Sequence, residues 1–178
     1  MRLLIVRHGR TDWNDIHRIQ GIADIELNQT GIEQAQIVAK RLQNENIDLI
    51  ISSPLKRTKK TANIINKNRD IEIIYDDRIK ERDFGEFEGL SKYAFDYEEF
   101  WTYSKNVKYK KAENIRDFYK RIFDFIEDIK IKYENKTVLL VMHAGVSVAI
   151  KAYFEGLPEE NEVATGRLDN CEVKEYLL

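Results

Sequence analysis

Short apolar runs alternate with amphipathic stretches along this chain. Arg2 to Val6 is an aliphatic run closed by polar residues, and it predicts a buried strand. Thr30 and Glu33 form a capping-box pattern, which predicts a helix from there to about Asn44. Asp48 to Ile51 predicts a second buried strand. Ser53 is expected to cap the next helix, with Pro54 at its first position, where a missing N–H costs nothing. Ile71 to Tyr75 reads as a third strand. Ile115, Phe118, Ile122, Phe125 and Ile129 recur at three-four spacing, so they share one face of a long helix. Thr137 to Met142 is the most apolar strand, followed by a helix from about Val146. Strand character returns at Val163 to Leu168 and at Glu172 to Leu178.

Strands alternating with helices imply an α/β fold, with a mostly parallel sheet covered on both faces. No repeat, low-complexity run or linker divides the chain, so residues 1–178 are expected to form one domain. The stretch from Gly85 to Glu113 lacks a clear strand. It is expected to be a helical excursion overhanging one end of the sheet.

Composition narrows the function classes. The chain has 178 residues, 43% apolar and 34% charged, which fits one globular core. Its net charge is −2, which gives no prior for a nucleic-acid or membrane partner. No apolar run is long enough to span a bilayer, and Leu3 to Val6 is too short for a secretory signal. The single cysteine, Cys171, excludes an intrachain disulfide and is expected as a buried strand thiol. A cytoplasmic protein is therefore expected.

In such sheets ligands bind beyond the carboxyl ends of the strands. Arg7, His8, Gly9, Arg10 and Thr11 follow the first strand, with Asn14 close behind. Ser52, Ser53 and Arg57 follow the second. Arg78, Glu81 and Arg82 follow the third, and His143, Ala144 and Gly145 the fourth. Two histidines, several arginines and a carboxylate should thus meet at one edge. That set suits phosphoryl transfer. Arginine forks match phosphoryl oxygens, and Arg7 and Arg57 are the natural clamps. A neutral imidazole is a competent nucleophile, provided its other nitrogen donates to a fixed acceptor such as the Gly9 carbonyl. Glu81 is the candidate general acid for the leaving oxygen.

These residues resemble the histidine phosphatase superfamily, also called the phosphoglycerate mutase-like fold. LIVRHGRTDWN, from Leu4 to Asn14, is similar to that family's signature. The likeness continues through Gly21 to Gly31, Ser52 to Ala62, Glu81 to Gly89 and Val141 to Gly145. The resemblance implies a single three-layer α/β/α domain. It implies that His8 is the phosphohistidine nucleophile and Glu81 the proton donor. Arg7, Arg57 and His143 match the phosphate pocket. Asn14, Gly21 and the backbone N–H of Ala144 are implied as further substrate-binding positions. No metal and no cofactor are expected, and the implied partner is a small phosphate ester. Two departures stand out. Arg10 occupies a position where mutases of the family usually have glutamate, and Ala144 one where many members have glycine.

Plainer readings exist for each residue. His8 and His143 alone could be core histidines, Arg57 a helix-surface charge, and Glu81 a salt-bridge partner of Lys80 or Arg82. Zinc is disfavoured because His8 and His143 lack close ligand spacing and arginines would repel a cation. His17 is expected to be a loop residue without chemistry. The basic run Lys105 to Lys111 is either a solvated face or a lid that attracts anions. The aromatics Phe95, Tyr97, Phe100, Trp101 and Tyr103 either pack the excursion or line the pocket. The expected function is a metal-independent phosphomonoester phosphatase. The alternatives are a cofactor-dependent phosphoglycerate mutase and a non-catalytic phosphate-ligand binding module. Segment Arg82 to Gly89 resembles the phosphatase branch more than the mutase branch.

Overall fold

In the computed structural model, residues 1–157 and 166–178 are described. Five strands form one sheet in the order β3-β2-β4-β1-β5. They are β1 (Arg2–Arg7), β2 (Leu49–Ser52), β3 (Ile73–Tyr75), β4 (Thr137–Met142) and β5 (Val173–Leu177), and the short helix α1 (Asp12–Asp15) follows β1. All pairings are parallel except β1 with β5. Successive residues of a strand face opposite sides of the sheet, so the central strands feed two cores. Leu3, Ile5, Leu140 and Met142 pack with α5 (Ile115–Lys132) and α6 (Ala144–Glu155). Leu4, Val6, Leu139 and Val141 pack with α2 (Gln29–Arg41) and α3 (Lys56–Asn66). The expected three-layer α/β/α domain is observed. Among the described residues no helix is long and apolar enough to cross a membrane.

Several local expectations are corrected. The cap of α2 is Asn28, whose side chain accepts from Gly31 N–H at 3.0 Å, so the helix starts one residue before Thr30 and ends at Arg41. Ser53 does not cap α3. That helix begins at Lys56 after Leu55, and no side chain caps it. The Ser53 hydroxyl instead meets a histidine ring. Helix α6 starts at Ala144, immediately beyond β4. Cys171 is buried, but it lies in the turn before β5 with φ +61°. Strand character expected at 163–168 falls mostly outside the described residues, and Gly166–Leu168 form no strand.

The excursion is less helical than expected. It contains a 3-10 turn at Gly85–Phe87 and the short helix α4 (Tyr97–Trp101), joined by irregular chain. Aromatic packing holds it in place of a periodic face. Phe84 stacks on Phe100 at 4.6 Å and Phe87 on Phe95 at 4.2 Å. Arg82 has no solvent exposure. Its guanidinium lies 3.6 Å from the Phe100 ring centroid and donates to the carbonyls of Glu113 (3.0 Å) and Phe100. Arg78, expected at the catalytic edge, instead pairs with Asp76 and Asp128. Replacing Arg82 by methionine leaves two buried carbonyls without donors. The expected loss of unfolding free energy is about 3 kcal/mol, read by urea denaturation.

Candidate active site

Parallel register sets the geometry of this edge. Arg7 pairs with Met142 and Ser52 with Val141, so the residues that follow them emerge side by side. His8 N–H donates to Met142 O at 3.0 Å, and Ser53 N–H to Val141 O at 3.0 Å. The His8 carbonyl accepts from Asn170 Nδ2 at 2.9 Å. The backbone of His8 is therefore held on both sides.

His8 is only 3% exposed. Its Nδ1 lies 2.7 Å from Gly9 O. A carbonyl can only accept, so Nδ1 carries the hydrogen and Nε2 presents a lone pair. Burial pushes the imidazole well below its usual pKa, and the charges of Arg57 and Arg7 push it further. Gly9 makes the loop possible. A Cβ there would stand 2.3 Å from the carbonyl oxygen of Gly31 in α2.

Arg57, in the first turn of α3, is fully buried and donates to Ala23 O (2.6 Å) and Gly21 O (2.7 Å). Gly21 thus holds the clamp through its carbonyl, besides lining the cavity itself. It has φ +51°, and a Cβ would sit 2.0 Å from Glu88 Oε1. Arg7 donates to Leu168 O at 2.8 Å. Burial lowers both guanidiniums to about 10, which leaves them charged at neutral pH. The Nε atoms of Arg7 and Arg57 and Nδ1 of His143 are buried with no partner among the described residues.

Glu81 is buried, and two backbone donors fix its carboxylate. Arg82 N–H reaches Oε1 at 2.9 Å, and Gly145 N–H reaches Oε2 at 2.8 Å. Gly145 is needed for that, because a Cβ would lie 2.3 Å from Oε1. His143 stands edge-on to His8, with ring centroids 5.3 Å apart, and its Nε2 lies 2.8 Å from Ser53 Oγ. Burial first, then Arg57, keeps it neutral as well. Asn14 Oδ1 accepts from Thr11 N–H at 3.1 Å and from Thr11 Oγ1 at 3.2 Å, which leaves its amide N–H groups for a ligand.

Arg7, His8, Asn14, Arg57, Glu81 and Ala144 line one cavity of about 430 Å³. His143 lies behind His8 and is not on that wall. Ala144 presents the start of α6, where backbone N–H groups and the helix dipole favour an anion. A larger groove of about 790 Å³, walled by residues of α2 and α3, contains neither histidine. Among the described residues no group of three or more His, Cys, Asp or Glu side chains is placed to hold a metal ion.

Some wall residues carry no signal in the sequence. His17, read as a loop residue without chemistry, is on the wall with Arg18, Gln20 and Lys92. Each reaches the site through a loop whose position depends on distant pairing. The basic run Lys105 to Lys111 does not line the cavity. Its Tyr109 packs on Phe87 and Phe100 instead.

The buried neutral histidines predict a pH effect on stability. In the unfolded chain they titrate near 6.5, and in the folded protein well below it. Below 6.5 the unfolded chain binds more protons, so stability falls as pH falls. From 6.5 downward each histidine should add to the loss until the folded imidazole itself takes up a proton. Urea unfolding across that window should show a much flatter profile for a His8→Asn/His143→Gln double variant.

Comparison with known proteins bears on the same edge. A family model described as the histidine phosphatase superfamily (branch 1) matches residues 3–177. Phosphoserine phosphatase 1 of Hydrogenobacter thermophilus is 35% identical over 149 residues, covering 80% of this chain and 71% of that protein. Phosphoglycerate mutase-like protein 4 of Arabidopsis thaliana is 36% identical over 153 residues, covering 81% of this chain and 66% of that protein. The crystal structure of phosphoserine phosphatase from Entamoeba histolytica, in complex with 3-phosphoglyceric acid, superimposes with a TM-score of 0.86. It is 29% identical and covers 99% of this chain and 90% of that one. With a match over nearly its whole length, this chain belongs to the histidine phosphatase superfamily, branch 1, and is an enzyme of that family.

Proposed function

We propose that the chain is a phosphomonoester phosphatase that works without a metal through a phosphohistidine on His8. One observation carries the reading. The Nδ1–H of His8 is committed to Gly9 O at 2.7 Å, so a neutral Nε2 is presented between two buried guanidiniums. A phosphoryl dianion entering this cavity meets two fixed positive charges, the Asn14 amide and the Ala144 N–H at the start of α6.

The reaction takes two displacements. The Nε2 lone pair of His8 forms a P–N bond as the ester P–O bond breaks, and Glu81 gives its proton to the leaving oxygen. Arg7, Arg57 and Asn14 hold the transferred group, and His143, edge-on to His8, keeps the nucleophile's ring in place. Water then forms a P–O bond while the P–N bond breaks. Glu81, now a carboxylate, takes the water proton, and His8 returns to its neutral form. The guanidiniums supply the charge stabilisation, and no metal-binding cluster accompanies them among the described residues. The segment 85–113 belongs to the same domain and overhangs the cavity, to which it contributes Tyr97 and Trp101. Phosphoserine, the substrate in the names of two relatives, is a natural first ester to try.

A second reading is a mutase, since a relative is named phosphoglycerate mutase-like. It is separable in one assay. With 3-phosphoglycerate and its bisphosphate primer, a phosphatase releases inorganic phosphate, and a mutase yields 2-phosphoglycerate.

The primary test is hydrolysis of p-nitrophenyl phosphate with EDTA present. Wild type should turn over and bind vanadate competitively. His8→Ala should lose at least about 10³-fold in kcat. Glu81→Gln should lose about 10²–10⁴-fold on alkyl phosphates and far less on p-nitrophenyl phosphate, whose phenolate leaves without a proton. Activity abolished by EDTA and restored by a divalent cation would overturn the metal-free mechanism.

A further inference from the structure

The wall of the cavity carries more positive charge than one phosphoryl group uses. Among the described residues it holds six cationic side chains and two carboxylates. Arg7 and Arg57 face the transferred group, and Arg10 is paired with Asp15 at 2.6 Å. Arg18, Lys92 and Arg167 remain. None of them makes an ion pair with a described residue, although they come from three separate segments.

Their positions are built. Arg18 and Ser91 form an antiparallel bridge, Ile19 N–H donates to Leu90 O at 2.9 Å, and Lys92 N–H donates to His17 O at 3.0 Å. These backbone bonds fix Arg18 and Lys92 on adjoining loop segments of the cavity wall. The Arg167 guanidinium lies 5.3 Å from the Tyr97 ring and 5.5 Å from the Trp101 ring, a cation–π arrangement. Two buried side chains on the same wall have unpartnered polar atoms. Trp101, 2% exposed, has no acceptor for its indole N–H, and Gln20, 9% exposed, has no donor for its amide oxygen. A buried donor without an acceptor is costly unless a ligand supplies one.

We infer that Arg18, Lys92 and Arg167, with the Trp101 indole N–H, form a second anion subsite, so that the substrate is a small phosphomonoester bearing another anionic group. This inference rests on the phosphatase reading above. A cavity of about 430 Å³ suits a metabolite of modest size rather than a phosphoprotein segment. The second anion is a carboxylate or a further phosphate, and both satisfy the same donors.

Two substrate pairs test it. 3-Phosphoglycerate and glycerol 3-phosphate differ by a carboxylate against a hydroxymethyl group. Fructose 1,6-bisphosphate and fructose 6-phosphate differ by a phosphate. Wild type should prefer the doubly anionic member of at least one pair by tenfold or more in kcat/KM, and the responsive pair identifies the anion. Arg18→Ala, Lys92→Ala and Arg167→Ala should each cut that ratio about threefold, and the triple variant should bring it near one. Arg18→Lys and Lys92→Arg should keep most of it. The ratio should also shrink with added salt, as exposed charges are screened. Calorimetric affinities of the same pairs for His8→Ala protein read the ratio without turnover. A discrimination near one in wild type, or one that the triple variant leaves intact, would overturn the subsite. Discriminating binding without hydrolysis of any ester would instead overturn the phosphatase reading and leave the subsite standing.

Discussion

Parallel pairing of β1 with β4 is the constraint on which the site depends. The strands end level, Arg7 opposite Met142, so His8 and His143 leave the sheet as neighbours with rings 5.3 Å apart. β2 pairs on the other side of β4 and brings Ser53 to the ring of His143. An antiparallel arrangement would send these three residues to opposite ends of the sheet. The register is itself secured by burial, since slipping one residue would turn Leu3 and Ile5 into the wrong core. Packing of the two cores therefore fixes the chemistry at their common edge.

Gathering charge at that edge works against folding. Two guanidiniums and two imidazoles are taken from water within one small volume, and among the described residues no carboxylate makes an ion pair with Arg7 or Arg57. Backbone carbonyls do the compensating work: Gly21 and Ala23 receive Arg57, and Leu168 receives Arg7. A carbonyl steadies a guanidinium without cancelling its charge, so both arginines stay positive toward the cavity. A carboxylate in the same place would neutralise them and weaken phosphate binding. The histidines adapt by staying neutral, the form a nucleophile requires. The cost of burying the charge and the preparation for an anion are two sides of one arrangement.

Legibility in the sequence follows how locally each feature is determined. The strand at Thr137–Met142 and the long helix through Ile115 and Ile129 were readable, because each is a run whose own periodicity decides its state. His8, Arg57, Glu81 and His143 were readable as a group because they sit at or just beyond strand ends, where this architecture gathers ligand contacts. Ser53 was misread as a cap because its hydroxyl answers to His143, ninety residues away, rather than to its own helix. The excursion was misread as helical because its order comes from rings stacked across the segment, such as Phe87 on Phe95, which leaves no periodic signature. His17, Arg18 and Lys92 gave no signal, since only the bridge between Arg18 and Ser91 brings their loops to the cavity.

Inner and outer charges of this cavity obey different physics, and that separates catalysis from selection. Arg7 and Arg57 lie in surroundings of low polarizability, are locked by carbonyl acceptors, and act on whatever phosphoryl group arrives. Arg18 and Arg167 are exposed, so water and salt weaken each of them. Exposed charges contribute little to holding a fold together, which makes their collection on one rim hard to ascribe to stability. Neither side chain donates to the carbonyls that fix Arg7 and Arg57, although the charge of Arg167 is felt at Arg7, whose pKa it lowers together with burial. A fold arranged this way keeps one reaction constant at its strand ends while the loops above it set which ester enters.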